Sequence, residues 1–77
     1  MKMVGLAKIR KEKGYSQLKV AFALNISREA LSYYENGKRN PDLQMLVKMS
    51  AYFDVSIHYL ITGEEFTSRF QRDHGTI

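Results

Sequence analysis

Three times in this chain a serine follows one apolar residue and precedes another at a fixed distance. Tyr15-Ser16 leads to Val20, Ile26-Ser27 to Leu31, and Val55-Ser56 to Leu60. A serine hydroxyl at a helix N-cap accepts a bond from an orphan N–H of the first turn. The apolar residue before the cap packs on the fourth helical position, the hydrophobic staple. The pattern therefore predicts helices over 17–24, 28–36 and 57–62. None completes a capping box with Glu, because Lys19, Ala30 and Tyr59 hold those positions.

Two more helices complete the reading. Met3, Leu6, Ile9 and Arg10 form a helical stripe that ends at Gly14. Gly5 within it costs about 1 kcal/mol against Ala, which predicts a loose first turn. A fourth helix starts near Asp42, after Pro41, and reaches Phe53, with Leu43, Leu46, Met49, Ala51 and Phe53 as its expected buried side. Gly37 and Gly63 close the third and fifth helices. No stretch shows the sustained alternation of a strand. The expected fold is a compact all-α domain of five helices over residues 1–63. Residues 64–77 form a separate tail whose Phe66 and Phe70 are i,i+4 neighbours.

Composition narrows the chemistry. The 77 residues include no Cys, which excludes disulfides, cysteine-ligated zinc, iron–sulfur clusters and thiol nucleophiles. His58 and His74 stand 16 positions apart, a spacing that fits no common metal site. No apolar run approaches the length of a membrane span, and the first residues lack a secretory signal. These observations predict a cytoplasmic domain that needs no cofactor. Residues 1–39 carry nine basic and three acidic side chains, net +6, whereas residues 40–77 carry three basic and five acidic, net −2. Such asymmetry suggests that one end faces a polyanion. Charges also serve merely to solvate a surface, so the imbalance alone decides nothing.

Only Asn25 and Ile26 separate the second helix from the cap of the third. So short a turn forces a large crossing angle, the helix-turn-helix arrangement. Asn25 tolerates the positive φ that the turn needs, and the small Ala21 lets the helices approach. In order and spacing, Ser16-Gln17-x-x-Val20-Ala21, Ile26-Ser27 and Leu31-Ser32-x-Tyr34-Glu35-Asn36-Gly37-Lys38-Arg39-Asn40-Pro41 resemble the Cro/phage-repressor type, or Xre-like, helix-turn-helix family. Leu46…Phe53-x-Val55-Ser56…Leu60 resembles the fourth and fifth helices of that family, so the likeness covers roughly residues 3–63. Asn25 departs from the usual turn glycine, and Lys19 from a common acidic residue.

The resemblance implies a DNA-binding regulator of transcription that acts as a homodimer. The residues agree with it. Arg28, Glu29, Ser32 and Tyr33 fall opposite the core side of the third helix, where base edges in a major groove would meet them. Arg28 can pair bidentately with guanine, and Glu29 can accept from the cytosine amino group. Ser32 is indiscriminate, and Tyr33 can pack on a thymine methyl or reach a phosphate. Asn36, Lys38, Arg39 and Asn40, just past that helix, suit phosphate contacts. Ser27 and Lys19 join them as candidates. By resemblance, Gln17 bonds a phosphate at the start of its helix, and Arg10 and Glu35 form a partly buried ion pair that serves architecture.

The serines are accounted for as caps and no glycine-rich phosphate loop is present, so an enzyme is not expected. A homodimer is expected through Ile57 and Ile61 of the fifth helix, extended by Phe66 and Phe70. Repression of an operator in double-stranded DNA is the leading reading. An antitoxin-type module that neutralises a protein partner through the tail and autoregulates its operon is the second. A scaffold without DNA binding is the third, and the basic surface argues against it.

Overall fold

The computed structural model describes residues 1–65. It contains α1 (Val4–Glu12), α2 (Gln17–Leu24), α3 (Arg28–Asn36), α4 (Leu43–Phe53) and α5 (Ile57–Thr62), with no strand among the described residues. The expectations placed on Phe66 and Phe70 lie outside these residues.

Each serine expected to cap a helix does so. Ser16 Oγ accepts from the Lys19 N–H at 3.0 Å, Ser27 Oγ from Ala30 at 3.0 Å, and Ser56 Oγ from Tyr59 at 2.9 Å. All six staple residues belong to the core or pack on its edge. The same arrangement occurs a fourth time. Asp42 Oδ1 accepts from the Met45 N–H at 2.8 Å, and a buried Pro41 precedes it. A left-handed residue follows the C-terminal end of each helix from α2 to α5. Asn25 adopts φ 59° and Gly37 φ 80°, as the sequence predicts, and Asp54 adopts φ 55° at the end of α4. Asp, like Asn, reaches this region at modest cost because its short polar side chain bonds locally.

The core is continuous across the helices, with Met3, Leu6, Val20, Leu24, Leu31, Met49, Phe53 and Leu60 almost wholly buried. Two sequence expectations are corrected. On α4, Leu43 is 71% exposed and Ala51 is also exposed, while Met45 packs at the core edge beside Leu46. At about 100° per residue, Ala51 and Leu43 lie about 160° and 120° around the helix from Met49, outside the buried stripe. The other correction concerns Gly5. It is buried where α1 crosses α5, and a Cβ there would overlap the Tyr59 carbonyl oxygen and stand 2.7 Å from its carbon. Gly5 is a close-approach residue, and the α1–α5 packing is the most extensive between any two helices.

Candidate nucleic-acid interface

The turn between α2 and α3 fixes the site. Asn25 in its left-handed conformation reverses the chain, and the Ile26 N–H returns to the Ala21 carbonyl at 2.9 Å. Ala21 is 2% exposed at this junction. Leu31 then anchors α3 in the core, so its opposite face turns outward. Arg28 and Glu29 are exposed there, and Ser32 and Tyr33 are half-buried beside them. Asn36 Nδ2 donates to Ser32 Oγ at 3.3 Å, which joins a candidate backbone contact to a candidate base reader along one face.

Cations frame this face. Lys38 Nζ and the Arg39 guanidinium lie 5.9 and 5.5 Å from the centre of the Tyr33 ring. An aromatic face attracts such cations, so Tyr33 holds both near the end of α3. Lys19 lies over the Tyr15 ring at 4.4 Å. Ser27 is exposed but its hydroxyl is already engaged in the cap. Asn40 is exposed and its Oδ1 accepts from the Met1 amino group at 2.9 Å.

Behind the face sits the ion pair. Arg10 Nε donates to Glu35 Oε2 at 2.7 Å and Nη2 to Oε1 at 3.1 Å, a bidentate arrangement. Arg10 Nη1 also bonds the Tyr15 carbonyl at 3.0 Å. The two side chains are only 11% and 6% exposed. The sequence did not reveal how far this pair extends. Gln17 Nε2 donates to Glu35 Oε1 at 3.0 Å, and Gln17 Oε1 accepts from Arg28 at 3.4 Å. A chain of bonds thus runs from α1 through Glu35 and Gln17 to the first residue of α3. Gln17 is half-buried and shared between architecture and surface. No single-residue propensity signals such a link, because it needs three helices to meet.

The remaining candidates fall elsewhere. Ile57 and Ile61 lie half-buried on α5. Among the described residues, no three His, Asp or Glu side chains gather as a metal site would require, and no helix is long and apolar enough to cross a membrane.

A family model for helix-turn-helix domains matches residues 6–60, which include all of α2, α3 and α4. The chain belongs to the Xre-like helix-turn-helix family. Within it, the chain is similar to YqaE of Bacillus subtilis strain 168, an HTH-type transcriptional regulator, with 42% identity over 66 residues. That match covers 86% of this chain and 57% of YqaE, so the chain spans little more than half the length of that curated relative. The N-terminal DNA-binding domain of SinR from Bacillus subtilis aligns with a TM-score of 0.65 at 41% identity, over 75% of this chain and 88% of that domain. The restriction-modification controller protein C.AhdI of Aeromonas hydrophila aligns with a TM-score of 0.67 at 30% identity, over 74% and 86% of the two chains. The five-helix arrangement described above is thus this family's DNA-binding fold.

Proposed function

We propose that this chain is a sequence-specific DNA-binding regulator of transcription, a repressor that works in the cytoplasm as a homodimer. In this reading α3 enters the major groove, and residues 1–63 form the DNA-binding unit. One observation carries the reading: Arg28 and Glu29 stand exposed at the start of α3, with Lys38 and Arg39 clustered at its other end. N-terminal residues of a recognition helix reach base edges, and flanking cations neutralise phosphates. The likeness to the SinR domain and to C.AhdI supports it.

Arg28→Ala is the direct test. It should lose about 1–3 kcal/mol at one base pair per half-site and relax the preference there. Titration against a set of operators mutated one base pair at a time reads the effect. Equal weakening on every duplex would reassign Arg28 to phosphate contact. The variant also frees the Oε1 of Gln17, which then needs a solvent partner.

Two recognition helices about 34–36 Å apart would read successive major grooves. A single helix reads too few base pairs for useful affinity, which is why a homodimer belongs to the reading. Ile57 and Ile61, at i,i+4 spacing on α5, supply its centre. Ile61→Asp should give a folded monomer that keeps weak, salt-sensitive DNA affinity and loses specific binding. Sedimentation of that variant as a dimer with unchanged operator affinity would contradict this interface.

A second reading, a module that also engages a protein partner, is favoured by one feature. Leu18 and Phe22 are 67% and 88% exposed one turn apart on α2. The two line one shallow depression with Ser16 and Lys19, and contiguous exposed apolar surface marks interaction sites.

A further inference from the structure

A second basic segment lies beside the candidate interface, in the groove between the outer side of α1 and the end of α3. Lys2, Lys8 and Lys11 line it together with Glu35 and Asn36. Two of these charges are already engaged. Lys8 Nζ donates to the Gly63 carbonyl at 3.0 Å and lies 5.8 Å from the Tyr59 ring centre. Glu35 is held by Arg10 and Gln17. Its negative charge is thus matched inside the fold and does not neutralise the lysines in front of it.

Lys2 and Lys11 remain, exposed and with no ion pair among the described residues. Their placement continues the candidate phosphate contacts. Lys2 packs so closely on the end of α3 that a Cβ on Gly37 would stand 2.9 Å from the Lys2 nitrogen. Asn36 belongs both to this groove and to the exposed row that leads through Gly37 to Lys38 and Arg39. Basic side chains therefore run from Arg39 past Asn36 and Lys2 to Lys11, joining the segment after α3 to the outer side of α1.

We propose that Lys2 and Lys11 form an additional phosphate-contact site for double-stranded DNA, which carries the backbone beyond α3 and onto α1. The inference rests on the DNA-binding reading above. A duplex strand presents one phosphate per 3.4 Å of axis, and each phosphate neutralised by a lysine releases condensed counterions. Such contacts strengthen binding to every sequence alike and set its salt dependence. Lys2 and Lys11 add affinity and register without changing which bases are preferred.

The experiment is a salt titration of the 77-residue protein against a random-sequence duplex, read by fluorescence anisotropy, with circular dichroism to check folding. Four proteins are compared: wild type, Lys2→Ala/Lys11→Ala, Lys2→Arg/Lys11→Arg and Lys13→Ala. Lys13 is exposed and lies outside the groove. The Ala pair should lower the slope of log K against log salt by roughly 1.8 per bound chain. The Arg pair and Lys13→Ala should keep the wild-type slope. A wild-type slope in the Ala pair overturns the proposal. So does an equal loss per lysine in Lys13→Ala, because net charge would then explain the whole effect. A wild-type protein that binds no duplex at any salt overturns the DNA reading itself, a failure visible before any variant is made.

Discussion

Glu35→Ala is expected to cost about 3–5 kcal/mol of stability, enough to lower the melting temperature by roughly 15 °C or more. The reason lies in what remains behind. Arg10 is 11% exposed and directs two donors at the carboxylate. Without Glu35 its charge stays buried with only the Tyr15 carbonyl as a partner. Removing both charges avoids that penalty, so Arg10→Met/Glu35→Met should recover most of the loss. The same deletion releases Gln17 Nε2, and with it the anchored end of the link to Arg28. Thermal melts of the single and double variants separate the two effects. A Glu35→Ala protein as stable as wild type would refute the architectural role of the pair.

Gly5→Ala should also destabilise the fold, by sterics alone. Alanine is favoured over glycine in a helix by about 1 kcal/mol, so propensity predicts a gain. Against this stands backbone of α5, with the Leu60 Cα only 3.0 Å from the new Cβ and the Tyr59 carbonyl closer still. A carbonyl in a helix cannot turn aside as a flexible side chain can. Overpacking of a core typically costs about 1–3 kcal/mol, and here the clash meets main chain across the most extensive helix pair. We expect a net loss of about 2 kcal/mol or more. Gly14→Ala makes a useful contrast, because Gly14 has φ 72° and open space around it. Its strain of about 1–2 kcal/mol is purely conformational. Gly5→Ala melting at or above the wild-type temperature would contradict the described crossing of α1 and α5.

These two residues also mark what a linear reading can and cannot reach. Helix boundaries are encoded locally. A serine cap and its staple lie within six positions of each other, so 17–24, 28–36 and 57–62 were legible directly. The left-handed turn at Asn25 was legible for the same reason. Gly5 was misread because its function depends on Tyr59, more than fifty positions away, and propensity describes only an isolated helix. The buried side of α4 was misread at Leu43 and Ala51 because apolar character was given more weight than angular position. At the site, exposed Arg28 and Glu29 followed from periodicity, and exposed Lys38 and Arg39 from their place just past the third helix. Arg10–Glu35 followed from resemblance. The bonds from Glu35 through Gln17 to Arg28 required α1, α2 and α3 to meet at one point, which no pattern along the chain encodes.

If α3 reads DNA sequence in a symmetric pair, the bound site must itself be symmetric. Selection of bound fragments from a random duplex pool tests it most directly, followed by sequencing of the enriched fragments. The enriched fragments should share two inverted half-sites whose centres lie one helical turn apart, about 10–10.5 base pairs, or a multiple of it. A single unpaired half-site would remove the homodimer and leave the recognition helix. A pool with no enriched sequence after repeated rounds, from a folded protein, would contradict sequence-specific DNA binding altogether.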